Sequence, residues 1–158
     1  MISYLIKKLE LFSILHRVGL GGTFDHLHKG HRLLLETALN VGYNVVIGLA
    51  TKDLLENKEY SSKLESFKTR KKNLEEFIST LAELQRVEII KLNDPYGPPA
   101  YEADYQGIIV SEETYETALK INQMRKDKGI DPMIIVVIPL LKDENNKKIS
   151  STIIRQQL

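Results

Sequence analysis

Residues 21–31 read Gly-Gly-Thr-Phe-Asp-His-Leu-His-Lys-Gly-His and lie between two stretches of different periodicity. Upstream, Val18 and Leu20 alternate with Arg17 and Gly19, the two-residue period of a half-buried strand. Downstream, Leu34, Leu35, Ala38 and Leu39 recur at helical spacing and stop near Gly42, as in an amphipathic helix. A strand, a glycine turn and a helix in that order make an anion site. Glycine lets the backbone approach a ligand with no Cβ in the way. The N–H groups of the first helical turn, reinforced by the helix dipole, then face negative charge.

The rest of the chain repeats the alternation. Asn-Val-Val-Ile-Gly-Leu-Ala-Thr at 44–51 is a continuous apolar run, β-branched at its start, which suits a strand buried on both faces of a parallel sheet. Further strands are predicted at 14–20, 87–92, 107–111 and 133–138, and helices at 31–41, 67–84 and 112–128, the last ended by Gly129 and Pro132. Residues 52–66 are polar and without a clear period, so a short helix and an ordered loop both fit. Residues 93–99 hold three of the five prolines and must be loop. Strands alternating with helices predict an α/β fold, a single doubly wound parallel sheet with the site outside the strand carboxyl ends. The domain is expected to span 14–158. Ahead of it, an extension at 1–13 carries Ile2, Leu5, Ile6, Leu9 and Phe12 at helical spacing, consistent with a packing or oligomer contact.

Composition removes several classes of function. A chain of 158 residues buries roughly 68–70% of the surface its unfolded form exposes, enough for a core without staples. With no cysteine there is neither a disulfide nor a thiolate nucleophile, which fits an intracellular setting. No apolar run approaches the ~20 residues of a membrane span, and the opening residues lack a signal-peptide pattern. The reading is cytoplasmic. Twenty-two basic against twenty-one acidic residues give a net charge of +1, not the basic excess of a nucleic-acid binder. The one dense basic run, Lys68-Thr-Arg70-Lys-Lys72, reads as a solvated helix face, with Arg70 the member placed to do more. Oligomeric state is left open.

Two familiar phosphate loops do not fit. Gly-x-x-x-x-Gly-Lys-Ser/Thr is absent, and Gly19-Leu-Gly21-Gly-Thr-Phe24 puts phenylalanine where the dinucleotide fingerprint needs its third glycine. Three histidines within residues 26–31 raise zinc. A zinc site wants four converging ligands, however, and no cysteine or nearby Glu-x-x-His completes it. No metal ligand is assigned.

What residues 21–31 do resemble is the nucleotidyltransferase superfamily signature, Gly-Thr-Phe-Asp followed by His-x-Gly-His, with a second element in Ile149-Ser-Ser-Thr-Ile-Ile-Arg155. Within that superfamily the chain is most similar to the phosphopantetheine adenylyltransferases of archaeal and eukaryotic type. Asp94-Pro-Tyr-Gly-Pro98, Val110-Ser-Glu-Glu-Thr114 and Ile121-Asn-Gln-Met-Arg125 add to the likeness, which runs over residues 18–155. The resemblance implies a Rossmann-like nucleotidyltransferase fold of about five strands. It also implies adenylyl transfer from ATP, with Mg²⁺, to 4′-phosphopantetheine in coenzyme A biosynthesis, yielding dephospho-coenzyme A and pyrophosphate.

Carried over residue by residue, the resemblance makes His31 the catalytic ligand of the α-phosphate and Lys52, after the second strand, the holder of the acceptor phosphate. ATP would contact Gly22, Thr23, Phe24, His28, His31, Glu113, Asn122, Arg125, Ser150, Ser151, Thr152 and Arg155. The acceptor would meet Thr23, Lys52 and Ser111. From the residues alone, Asp25 braces the loop or reaches Mg²⁺ through water. Residues 94–99 are a guess for one wall of the pantetheine pocket. The attacking phosphate monoester has a second pKa of about 6 and is already largely dianionic, so no general base is required. A cytidylyltransferase is the nearest rival, but those enzymes typically carry Arg-Thr-x-Gly-Ile-Ser-Thr where this chain has Lys147-Lys-Ile-Ser-Ser-Thr. A nicotinamide mononucleotide adenylyltransferase and a non-catalytic nucleotide-binding module are two further rivals.

Overall fold

Strand β1 (Leu15–Gly22) sits at the centre of a five-stranded, all-parallel sheet of order β3-β2-β1-β4-β5. The computed structural model describes residues 15–55, 63–81, 84–142 and 145 of the chain. Helix α1 (Lys29–Val41) returns the chain to β2 (Gly42–Ala50). The short α2 (Lys52–Leu55) and α3 (Phe67–Leu81) lead to β3 (Val87–Leu92), and α4 (Tyr115–Asp127) joins β4 (Gly107–Ser111) to β5 (Ile134–Ile138). The first crossovers step outward from β1 to β3. The next returns to the other side of β1, so the strand order reverses between β1 and β4. In such sheets ligands lie outside the carboxyl ends at that reversal.

Two cores follow from the alternation of side chains along each strand. Val18, Leu20, Val45, Ile47 and Leu49 pack with Leu34, Leu35, Ala38 and Leu39 of α1 and with Leu74 and Ile78 of α3. On the opposite face Val46, Ile108 and Val110 meet Tyr105 and Met133 together with Ala118 and Ile121 of α4. Each fully buried aliphatic side chain contributes roughly 1.5–3 kcal/mol relative to exposure. Gly42 opens β2 because a Cβ there would collide with the Val18 methyls. Gly129 closes α4 in the left-handed region at φ +72°, as the sequence predicts for that helix end.

The departures from expectation are local. β1 runs on through Gly21 and Gly22, which pair with Gly48 and Leu49 of β2. α1 begins at Lys29, two residues early, because His28 caps it. α3 stops at Leu81, and Leu84–Arg86 form a separate 3₁₀ turn before β3. α4 begins at Tyr115 because residues 112–114 form a turn in which Thr114 N–H donates to the Ser111 carbonyl. The polar stretch after Thr51 opens with the short helix α2, and Pro98–Ala100 make one 3₁₀ turn within the predicted loop region. The extension at 1–13 and the tail at 149–158 lie outside the described residues, and no described helix is long and apolar enough to cross a membrane.

Candidate active site

The signature loop leaves β1 in a strained path. Phe24 and His26 both adopt positive φ, 49° and 46°, a region that costs roughly 1–3 kcal/mol for a residue with a side chain. Packing holds this geometry. The Phe24 ring is buried in the α1 core, its centroid 5.4 Å from that of His31. Asp25, between the two strained residues, is wholly buried and accepts the Glu65 N–H at 2.9 Å. The Glu65 carboxylate in turn accepts the His26 N–H at 2.7 Å. Asp25 therefore braces the loop, as one of its two sequence readings has it.

The two signature histidines are part of the helix they precede. His28 is the N-cap of α1: its Nδ1 accepts the Gly30 N–H at 3.0 Å. His31 reaches back and accepts the His28 N–H through its own Nδ1 at 3.3 Å, so the pair forms a capping box built from imidazoles. The rings stack with centroids 3.9 Å apart. Gly30 is required between them because a Cβ there would sit 2.9 Å from His28 Cε1. Accepting at Nδ1 puts the proton of each neutral ring on Nε2. Burial also lowers the pKa of His28 below its ordinary 6.5, which favours the neutral form. Two N–H donors are thus fixed beside the amides of a helix start, where anions bind.

Lys52 and Ser111 lie at the carboxyl ends of the two strands that flank β1. Lys52 is exposed on the first residue of α2, directly beyond β2, and half-buried Ser111 is the last residue of β4. The Ser111 N–H donates to Thr114 Oγ1 at 3.2 Å, which fixes the turn carrying exposed Glu113. Gly22, Thr23, Phe24, His28, His31, Lys52, Ser111 and Glu113 therefore share the carboxyl edge of the sheet. Ser150, Ser151, Thr152 and Arg155 lie outside the described residues.

Asn122 and Arg125 do not join them. Arg125 is 1% exposed, and its guanidinium donates to the carbonyls of Asp131, Pro99, Glu102 and Tyr105 at 2.6–3.1 Å. Asn122 forms a paired bond with the backbone of Met133. Both groups work at the amino ends of β4 and β5, where they fasten α4 to the sheet.

Two features were not read from the sequence. A cavity of about 300 Å³ descends from Gly22 and Thr23 along the α4 face of the sheet. Gly19, Gly21 and Gly48 provide its floor, Leu92, Pro95, Tyr96, Pro98 and Pro99 one wall, and Thr117, Ala118 and Ile121 another. Pro95, Tyr96, Pro98 and Pro99 of the 94–99 loop line this cavity. Its signal was available in the glycines spaced two apart on β1, since such a row leaves a groove in a strand surface. The second feature is the place of Arg70, singled out in the basic run but without a partner there: it is 2% exposed beneath the loop. Asp25, His26 and Glu65 also offer ligand atoms within 4.8 Å of one another. His26 Nε2 is hydrogen-bonded to the Lys63 carbonyl at 3.1 Å, an acceptor, and so carries its proton. Both Glu65 oxygens accept N–H groups, from His26 and Asn73. These hydrogen bonds brace the loop.

A cytidylyltransferase-like family model matches residues 20–157. The phosphopantetheine adenylyltransferase of Pyrococcus abyssi is 42% identical over 142 residues, 90% of this chain and 90% of that protein. The yeast (Saccharomyces cerevisiae) phosphopantetheine adenylyltransferase is 34% identical over 148 residues, 90% of this chain and 48% of that protein. The chain belongs to the phosphopantetheine adenylyltransferase family. It is a nucleotidyltransferase of coenzyme A biosynthesis. A solved structure of a protein of unknown function from Archaeoglobus fulgidus shares its fold, with a TM-score of 0.68 at 30% identity, covering 85% of this chain and 99% of that one. The family match spans the whole carboxyl-edge site and extends through the Ser150-Ser-Thr152 and Arg155 positions.

Proposed function

We propose that the site transfers the adenylyl group of ATP to 4′-phosphopantetheine by direct in-line displacement. A phosphate oxygen of the acceptor forms a bond to the α-phosphorus, the bond from that phosphorus to the bridging β-oxygen breaks, and pyrophosphate leaves. Because the acceptor is already largely dianionic, the protein's task is alignment and stabilisation of charge on the five-coordinate phosphorus. In this reading the His31 Nε2–H donates to a non-bridging α-phosphate oxygen, with His28 on the neighbouring phosphates. Thr23 and the amides beyond Gly22 fix the acceptor phosphate and α-phosphate together, and Lys52 neutralises the acceptor. Ser111 and Glu113 flank the nucleotide and acceptor from β4. Ser150, Ser151, Thr152 and Arg155 are assigned to the β- and γ-phosphates by the family resemblance alone. Mg²⁺ enters as the counter-ion of ATP, held by phosphate oxygens and by waters it does not readily give up.

The observation that carries this reading is the continuity of two unlike spaces. Gly22 and Thr23, at the start of the loop that carries the His28–His31 cap, also line the apolar cavity formed with Gly48, Leu92 and Pro99. A phosphate attached to a long, narrow arm with a gem-dimethyl group and methylene segments between its amides matches that pairing, whereas the ribosyl ring of a nicotinamide nucleotide does not need it. Comparing phosphopantetheine with a short alkyl phosphate tests the match. Turnover of the short ester should fall by at least about tenfold in kcat/KM, equivalent to about 1.4 kcal/mol of arm binding. Equal kcat/KM would show that the cavity is not used by the acceptor.

A further inference from the structure

Arg70 lies one turn into α3 with its side chain directed under the signature loop, and its guanidinium contacts three separate segments. Nη1 donates to the Thr23 carbonyl at 2.9 Å and to the Ala50 carbonyl at 2.8 Å, and Nε donates to the Glu65 carbonyl at 3.1 Å. Thr23 belongs to the turn after β1. Ala50 ends β2, two residues before Lys52. Glu65 lies in the segment whose N–H and carboxylate hold Asp25 and His26. The Phe67 ring covers the guanidinium, 5.6 Å from its carbon to the ring centroid. Buried carbonyls of this kind must be paired, and a planar fork can pair several of them in fixed relative positions, as an ammonium cannot.

We propose that Arg70 is a positioning residue: it sets the separation between Thr23 and Lys52, and hence the line along which the acceptor phosphate meets the α-phosphorus. Neither substrate touches it. One nitrogen bonded to both strand ends makes their spacing a property of a single side chain. The carbonyls it holds belong to the same backbone that presents the Thr23 amide region and the start of α2. Displacement of reacting groups by about 1 Å costs on the order of 10²-fold in rate, so a small relaxation of this clamp acts on turnover more than on binding. The inference rests on the reading that Thr23 and Lys52 bring the two phosphates together.

Arg70→Lys keeps the charge and replaces the fork with a single point donor. The expected result is a folded protein in which kcat falls roughly 10–10²-fold while KM for ATP and for phosphopantetheine each stay within about threefold. Normal kcat per folded molecule, with only the melting temperature lowered, would reduce Arg70 to a structural brace. Where Arg70→Lys does not fold, Phe67→Leu loosens the guanidinium without removing it, and the same split of kcat from KM is expected. Unchanged kcat in Phe67→Leu then overturns the proposal. Thr23→Ala and Lys52→Ala run alongside. Normal turnover in Arg70→Lys with loss in those two overturns the positioning role alone, and normal turnover in all three overturns the site reading with it.

Discussion

The rings of His28 and His31 stack with centroids 3.9 Å apart, and each accepts a backbone N–H of the same helix start through Nδ1. The spacing of His-x-Gly-His is thus a folding requirement as much as a chemical one. Three residues bring the second imidazole back over the first, and Gly30 leaves room for the first to cap. The cap also sets the tautomer, leaving the proton of each neutral ring on Nε2.

A first prediction separates cap from ligand at His28. Asparagine is a strong N-cap and carries no titrating ring. His28→Ala should lower the melting temperature by roughly 2–4 °C, the effect of losing a cap worth about 1 kcal/mol in a chain of this size. His28→Asn should melt close to the parent, while both variants lose activity. Equal melting of all three proteins would remove the capping role.

The same residue gives a sign for pH dependence. Burial holds the folded His28 pKa below its ordinary 6.5, so acidification protonates the unfolded chain first. This contribution to stability is complete above 6.5 and is lost as pH falls from there. Between about pH 7.5 and about pH 5.5 the parent should therefore lose more melting temperature than His28→Asn. Parallel curves for the two proteins would contradict it.

His31 is the test of transition-state charge. His31→Ala should reduce kcat by roughly 10²–10³-fold, with ATP affinity by calorimetry changed only a few-fold. Loss of ATP affinity with kcat retained would make His31 a ground-state ligand only.

Much of the fold is legible in the chain because its strands are continuous β-branched runs and its helices carry clear apolar stripes. The signature loop is legible for a similar reason: Gly22, Thr23, His28 and His31 are close in sequence and lie together between β1 and the start of α1. Sequence does not show the backbone partners of Asn122 and Arg125, because a motif does not say at which edge of the sheet it ends. Seven residues of helix separate Tyr115 from Asn122, about 10 Å of travel away from the site. Arg70 stands out in the basic run without a role, since its partners Thr23 and Ala50 are 47 and 20 residues away in sequence.

On the proposed reading, Lys52 takes the phosphate of the acceptor and Gly48 borders its arm. Lys52→Ala should raise KM for phosphopantetheine about tenfold or more, the loss expected for a charge-assisted contact, and leave KM for ATP nearly unchanged. Gly48→Val places a side chain where a Cβ already lies 3.2 Å from Leu92 Cδ1, and so fills the cavity. It too should raise KM for phosphopantetheine about tenfold, but it should leave the short alkyl phosphate unaffected. If Gly48→Val impairs both acceptors equally, the arm lies elsewhere.

Adenylyl transfer to a phosphate on a pantetheine arm is tested most directly by pyrophosphate release from the purified chain. Phosphopantetheine is the acceptor, ATP or CTP the donor, and nicotinamide mononucleotide the competing acceptor. Release with ATP and phosphopantetheine should be at least about tenfold above release with CTP, a difference of about 1.4 kcal/mol. No comparable release is expected with nicotinamide mononucleotide. Equal or faster release with CTP, or preference for the nicotinamide nucleotide, would contradict this assignment.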